Sequence, residues 1–64
     1  MKLKGELKMY RVIKDTYDQI TMRAKAYSPE GKLVDVHATW VWAPRLTFYD
    51  DTNKEWINNW QWLF

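Results

Sequence analysis

Residues 33–49 read LVDVHATWVWAPRLTFY, and their even positions, Val34, Val36, Ala38, Trp40, Trp42, Pro44, Leu46 and Phe48, carry no polar side chain. The odd positions, Asp35, His37, Thr39, Arg45, Thr47 and Tyr49 among them, are mostly polar or amphipathic. A period of two gives a strand one dry and one wet face, the pattern of an antiparallel sheet with a core on one side only. Pro44 has no amide hydrogen to give to a ladder, so the long strand is expected to bend or break there and resume over Leu46 to Tyr49.

Upstream, Ser28-Pro29-Glu30-Gly31 presets a turn. Proline supplies the φ of about −65° that the turn's second position wants, and Gly31 supplies a positive φ, so a type I turn with a glycine bulge is expected. Pairing Ser28 with Lys32 sets Ala26 against Val34, Ala24 against Val36, Met22 against Ala38 and Ile20 against Trp40 on the dry face. On the wet face it sets Lys25 against Asp35, Arg23 against His37 and Thr21 against Thr39, which is favourable cross-strand chemistry. Residues 19–27 are thus a second strand. A first strand is expected over 3–14, with Leu3, Leu7, Met9 and Ile13 inward and Lys4, Glu6, Lys8, Tyr10 and Lys14 outward. Arg11 interrupts its apolar side, and Gly5 marks a bulge or a frayed start. Asp15 to Asp18 is the turn between the two strands.

Downstream, Tyr49-Asp50-Asp51-x-x-Lys54-x-Trp56 resembles the hairpin of the immunoglobulin-binding domain of protein G. That resemblance covers eight residues and concerns a turn, not a function. With Asn53 left-handed, Phe48 faces Trp56, and the dry side continues through Trp60, Trp62 and Phe64 with Asn58 as the exception. A second reading competes. Thr52-x-x-Glu55 is a capping-box pattern, and Trp56, Ile57, Trp60, Leu63 and Phe64 fall at helical spacing over 53–63. The Asn, Trp and Ile content of the stretch suits a strand better. The two readings differ at Trp62, buried on a strand and exposed on a helix. The fold expected is all-β, a small antiparallel sheet or barrel-like meander of about five strands joined in sequence order. The alternative is α+β, three to four strands covered by a helix over 53–63.

Sixty-four residues make one domain, 1–64, without cysteine. So short a chain barely outweighs its entropy, and five Trp, four Tyr and two Phe must carry much of the core. No apolar run approaches a membrane span and no leader opens the chain, so a soluble, intracellular protein of the cytoplasm, with no membrane partner, is expected. The net charge of +2 is uneven: Lys2, Lys4, Lys8, Arg11 and Lys14 face only Glu6 in the first fourteen residues.

Chemistry is sparse. One histidine, His37, and no cysteine cannot assemble an ordinary nitrogen and sulfur metal site, and two glycines cannot make a phosphate loop. Ser28, the only serine, sits in a turn, where it caps rather than attacks. Asp50 and Asp51 are neighbours that point apart on a strand and satisfy turn amides. No catalytic residue, metal or cofactor is expected, and the chain is read as a non-enzyme.

Two binding surfaces compete. The first is aromatic: Trp40, Trp42, Trp56, Ile57, Trp60, Trp62 and Leu63 exceed what one small core encloses, and exposed Trp anchors protein interfaces. It suits an inhibitor or adaptor that grips a larger protein, or a homodimer. Compact chains of this size are typical of phage-encoded host-takeover and anti-defence proteins, and a designed β scaffold has the same style. The second surface is basic: Lys4, Lys8, Tyr10, Arg23, Lys25, Tyr27 and His37 interleave cations and rings on a wet sheet face, as single-stranded nucleic acid requires.

Overall fold

A computed structural model describes residues 9–39 and 46–64. Six strands form one mixed sheet: β1 (Tyr10–Ile13), β2 (Arg23–Tyr27), β3 (Leu33–Thr39), β4 (Thr47–Asp50), β5 (Glu55–Trp56) and β6 (Trp60–Leu63). Their order is β5-β4-β3-β2-β1-β6, and every neighbouring pair is antiparallel except β1 with β6. The fold is all-β. Residues 53–63 are turn and strand, so the helix over the sheet is replaced by β5 and β6. No helix among the described residues is long and apolar enough to cross a membrane.

The hairpin at the centre follows from its turn. Gly31 has φ +87° and donates to the Ser28 carbonyl at 2.8 Å, while the Ser28 amide donates to the Lys32 carbonyl at 2.8 Å. The Ser28 hydroxyl caps the turn by accepting from the Lys32 amide at 3.2 Å. Counting outward, Ala26 meets Val34, Lys25 meets Asp35, Ala24 meets Val36 and Arg23 meets His37, as the turn chemistry requires. The Met22–Ala38 pairing survives as one bond, Ala38 N–H to Met22 carbonyl at 2.7 Å.

Beyond Arg23 the second strand ends early. Asp18 accepts from the Ile20 amide at 2.8 Å, Met22 takes φ 63°, and its amide bonds back to the Asp18 carbonyl at 2.6 Å. Residues 18–22 are therefore a tight turn, and Ile20, expected inward, is 92% exposed. A single 3-10 turn, Lys14–Thr16, leads into it. There the Thr16 hydroxyl accepts from the Lys25 amide at 2.8 Å, replacing a strand partner.

β4 pairs back along β3, with Thr39 against Thr47 and Val36 against Asp50, so the long alternating stretch is two strands of one hairpin. Pro44, Trp40 and Trp42 lie outside the described residues, as do Leu3, Lys4, Gly5, Leu7 and Lys8. The turn after β4 has four residues, and Lys54, not Asn53, is left-handed at φ 58°. Tyr49 then faces Trp56, the two ends of the protein G-like octapeptide. Phase slips by one relative to the expectation: Ile57 is buried and its amide bonds to the Phe48 carbonyl at 3.1 Å, while Trp56 points to solvent.

β5 and β6 sit at opposite edges of the sheet yet are separated only by residues 57–59. Flat, five inter-strand gaps would hold those edges about 24 Å apart, whereas the four Cα steps from Trp56 to Trp60 reach at most about 15 Å. The sheet must curl. Within three residues the chain passes from the Ile57 bond on β4 to the bond from the Tyr10 amide to the Asn59 carbonyl, 3.0 Å, on β1. β5 and β6 also run in the same direction, so they act as one bent fifth strand of a meander, crossing the seam of a half-barrel.

The core fills the curl. Ala24, Ala26, Val34, Val36 and Ala38 are small inward residues on β2 and β3, and they leave room for rings from the other strands. Phe48, wholly buried, stands edge-on to Trp60 at 4.7 Å and Trp62 at 6.0 Å, with Tyr17 at 6.1 Å. The dry face of β1 is the reverse of the expectation: Tyr10 and Val12 are buried, Met9 is exposed and Ile13 is half-buried. Phe64 is 92% exposed, ending the dry run at Trp62.

Space is open around Gly31, so a side chain there is resisted by backbone conformation alone. Gly31→Val is expected to cost about 1–2 kcal/mol in denaturant unfolding, and Gly31→Asn less, because asparagine tolerates positive φ. An unchanged midpoint for the valine variant would refute this turn.

Candidate functional site

Two places concentrate polar chemistry, one inside the curl and one on its outer face. The inner one is built on Asp50, the last residue of β4, whose parity continues inward from Phe48. It is fully buried and accepts four hydrogen bonds. The Thr52 and Asn53 amides reach Oδ1 at 2.9 Å each, and Asn53 Nδ2 reaches Oδ2 at 3.0 Å. The Tyr10 hydroxyl, projecting from β1 across the interior, donates to Oδ2 at 2.6 Å. No Lys or Arg pairs with Asp50 among the described residues; neutral donors alone hold its charge. Tyr10 oxygen also lies 3.2 Å from Glu55 Oε2. Burial, then the hydrogen bond to Asp50 and its negative charge, with lesser contributions from Glu55, hold the phenol proton well above the ordinary tyrosine range.

The outer face carries a row set by strand register. Arg23 faces His37, His37 faces Tyr49 and Tyr49 faces Trp56, one residue from each of β2, β3, β4 and β5. Tyr49 and Trp56 meet edge to face at 5.1 Å, and the His37 ring tilts against Tyr49 at 5.6 Å. His37 Nδ1 lies 2.9 Å from both oxygens of Asp51, a carboxylate that can only accept, so the contact is made by a protonated Nδ1. Asp51 points outward where Asp50 points inward. Lys25 pairs with Asp35 across the ladder, and the Arg11 guanidinium stands over the Tyr27 ring at 5.7 Å. An open cleft of about 900 Å³ lies between the 14–23 connection and β3; Asp18, Asp35 and Asp51 face Arg23 and Lys25 in its lining.

The expected site residues are therefore redistributed. Of the aromatic set, Trp56 is 58% exposed, Ile57 and Trp60 are buried, and Trp62 and Leu63 are half-buried. Trp60 also donates its indole N–H to the Leu46 carbonyl at 3.2 Å. Of the basic set, Arg23, Lys25, Tyr27 and His37 share the outer face, but Tyr10 is removed from it into the interior. Tyr10 reads as outward because it alternates in step with Lys4, Glu6, Lys8 and Lys14; inside, Asp50 receives its hydroxyl proton. The overlooked signal is parity: an acid two residues after Phe48 on an unbroken strand falls on the dry face and demands donors. No group of three or more His, Cys, Asp or Glu that could hold a metal ion occurs among the described residues.

Tyr10→Phe keeps the ring and withdraws a proton from a buried carboxylate, an expected loss of about 1–3 kcal/mol near neutral pH. Because the folded pKa is raised, this stabilisation is complete below the unfolded tyrosine value. It then declines as pH rises toward the folded one, by about 1.4 kcal/mol per unit above pH 10. Urea unfolding at about pH 9 and about pH 11 is expected to show the gap between wild type and Tyr10→Phe closing; a constant gap would count against the network.

No family model, curated protein or solved structure matches the chain, so what this site does is argued from its own geometry.

Proposed function

We propose that this chain is a non-enzymatic binding protein that grips a larger protein through the outer face of β3, β4 and β5, with Trp56 as its anchor, as an inhibitor or adaptor. The observation that carries this is the position of Trp56. It is a large ring, more than half exposed, braced edge-to-face by Tyr49 on a rigid sheet. Such a ring loses little entropy on binding and buries much area. Its surroundings carry both signs, Lys25 paired with Asp35 and Asp51 beside His37. Exposed pairs of that kind add little stability, and a mixed-sign face suits a protein partner better than a phosphate backbone.

One observation favours nucleic acid as a second reading. Arg23, which has no ion pair among the described residues, ends the His37-Tyr49-Trp56 row, and rings beside a free cation suit an unpaired strand.

Trp56→Ala is expected to abolish capture of the protein partner from a cell extract while changing stability by less than about 0.5 kcal/mol. Trp62→Ala, whose ring packs on Tyr17, Phe48 and Trp60, is expected to cost about 2 kcal/mol or more. Capture that survives Trp56→Ala overturns the anchor. A fluorescent single-stranded oligonucleotide titrated at two salt concentrations separates the second reading: binding that weakens with a log–log slope near 0.7 per phosphate would replace the protein partner with nucleic acid.

A further inference from the structure

Next to the anchor lies a smaller cleft, about 350 Å³, bounded by the 28–32 turn on one side and the seam crossing on the other. Trp56, Glu30, Glu55, Asn58, Asn59 and Tyr10 are among the residues that line it. Its volume is at the lower end of small-molecule sites, about 300–1,000 Å³, which suits one inserted side chain better than a cofactor.

The chemistry of the lining specifies which. Two carboxylates, Glu30 and Glu55, stand on different segments, and no Lys, Arg or His among the described residues lines the cleft. Proton inventory sharpens this. Tyr10 has one hydroxyl proton, committed to Asp50 at 2.6 Å, so Glu55 at 3.2 Å has only a weak share of it and no other donor among the described residues. The Tyr10 hydroxyl ends on Asp50, a third carboxylate that pairs with no Lys or Arg among the described residues. Carboxylates alone would attract any cation. Trp56, which lines the same cleft and is more than half exposed, favours a flat, weakly hydrated one that stacks on a ring face while its N–H groups reach a carboxylate, which is the guanidinium of arginine rather than an ammonium.

We propose that this cleft receives one arginine side chain of the protein partner. The proposal rests on the protein-binding reading and adds to it the residue that the partner must present beside Trp56.

The test uses N-acetyl-arginine amide as probe and N-acetyl-citrulline amide, its neutral isostere, as control, each titrated at millimolar concentration into the full chain and followed by NMR. The arginine probe is expected to shift the Trp56 indole and the Asn58 and Asn59 side-chain amides, and the citrulline probe to leave them in place. Glu30→Gln and Glu55→Gln are each expected to weaken the probe by about threefold. The Tyr10 hydroxyl bonds to Asp50 and Glu55 and not to Glu30, so the Glu30 variant separates loss of binding from disturbance of the buried network. Equal response to both probes, no response at these residues, or an unchanged affinity in Glu30→Gln with the fold intact overturns the proposal. Partner capture distinguishes the two levels. Capture that needs Trp56 but ignores both glutamine variants removes the arginine pocket and leaves the protein reading standing; capture indifferent to Trp56 removes the protein reading itself.

Discussion

The constraint on which the rest depends is closure of the curl by a short crossing. A meander with an odd number of strands ends running in the same direction as it began, so its last strand can join its first only in parallel. Here the fifth strand begins on β4 as β5 and finishes on β1 as β6, and β6 is parallel to β1 for that reason. Three residues, 57–59, make the transfer. They are too few to pass around a flat sheet, and the half-barrel is the shape that lets them suffice.

Once the edges approach, the interior is narrow, and residues far apart in sequence meet within it. Tyr10 of β1 reaches Asp50 at the end of β4, a contact across forty positions. A buried carboxylate without a cation is tolerated because four donors converge on it, two of them amides of the turn it initiates. A polar group of this kind specifies one arrangement of strands, since any other leaves the charge without its donors. The aromatic rings do the complementary work. With Ala and Val lining β2 and β3, the volume inside the curl is filled by Phe48, Trp60, Trp62 and Tyr17 in edge-to-face contacts, which adds stability beyond area burial in a domain with little area to bury.

The surface follows from the same register. Each residue of the Arg23-His37-Tyr49-Trp56 row stands where it does because of three hairpins, and the slip of one residue in the 51–54 turn is what turns Trp56 outward and Ile57 inward. The same turn carries Glu55 to the mouth of the small cleft, beside the phenol that Asp50 holds. The proposed anchor and the proposed pocket are thus consequences of one turn geometry.

Short-range chemistry was legible in the residues alone. Pro29 and Gly31 impose a turn whose φ values are local, and from it the entire β2–β3 register can be counted. The alternation over 33–39 and 46–49 names the dry face, and the opposite directions of Asp50 and Asp51 follow from the pleat. Tertiary structure alone decided the rest. A period of two transmits parity only along an unbroken strand, and each turn resets it. The left-handed Lys54 in place of Asn53 therefore inverted Trp56 and Ile57, and the Asp18 turn left Ile20 outside β2, which begins only at Arg23. In β1 the decision fell to a partner forty residues away: Tyr10 is buried because Asp50 is there to receive its proton, and no periodicity within residues 9–14 contains that information. The parallel pairing of β6 is of the same kind, fixed by the strand count and the reach of the chain around the curl.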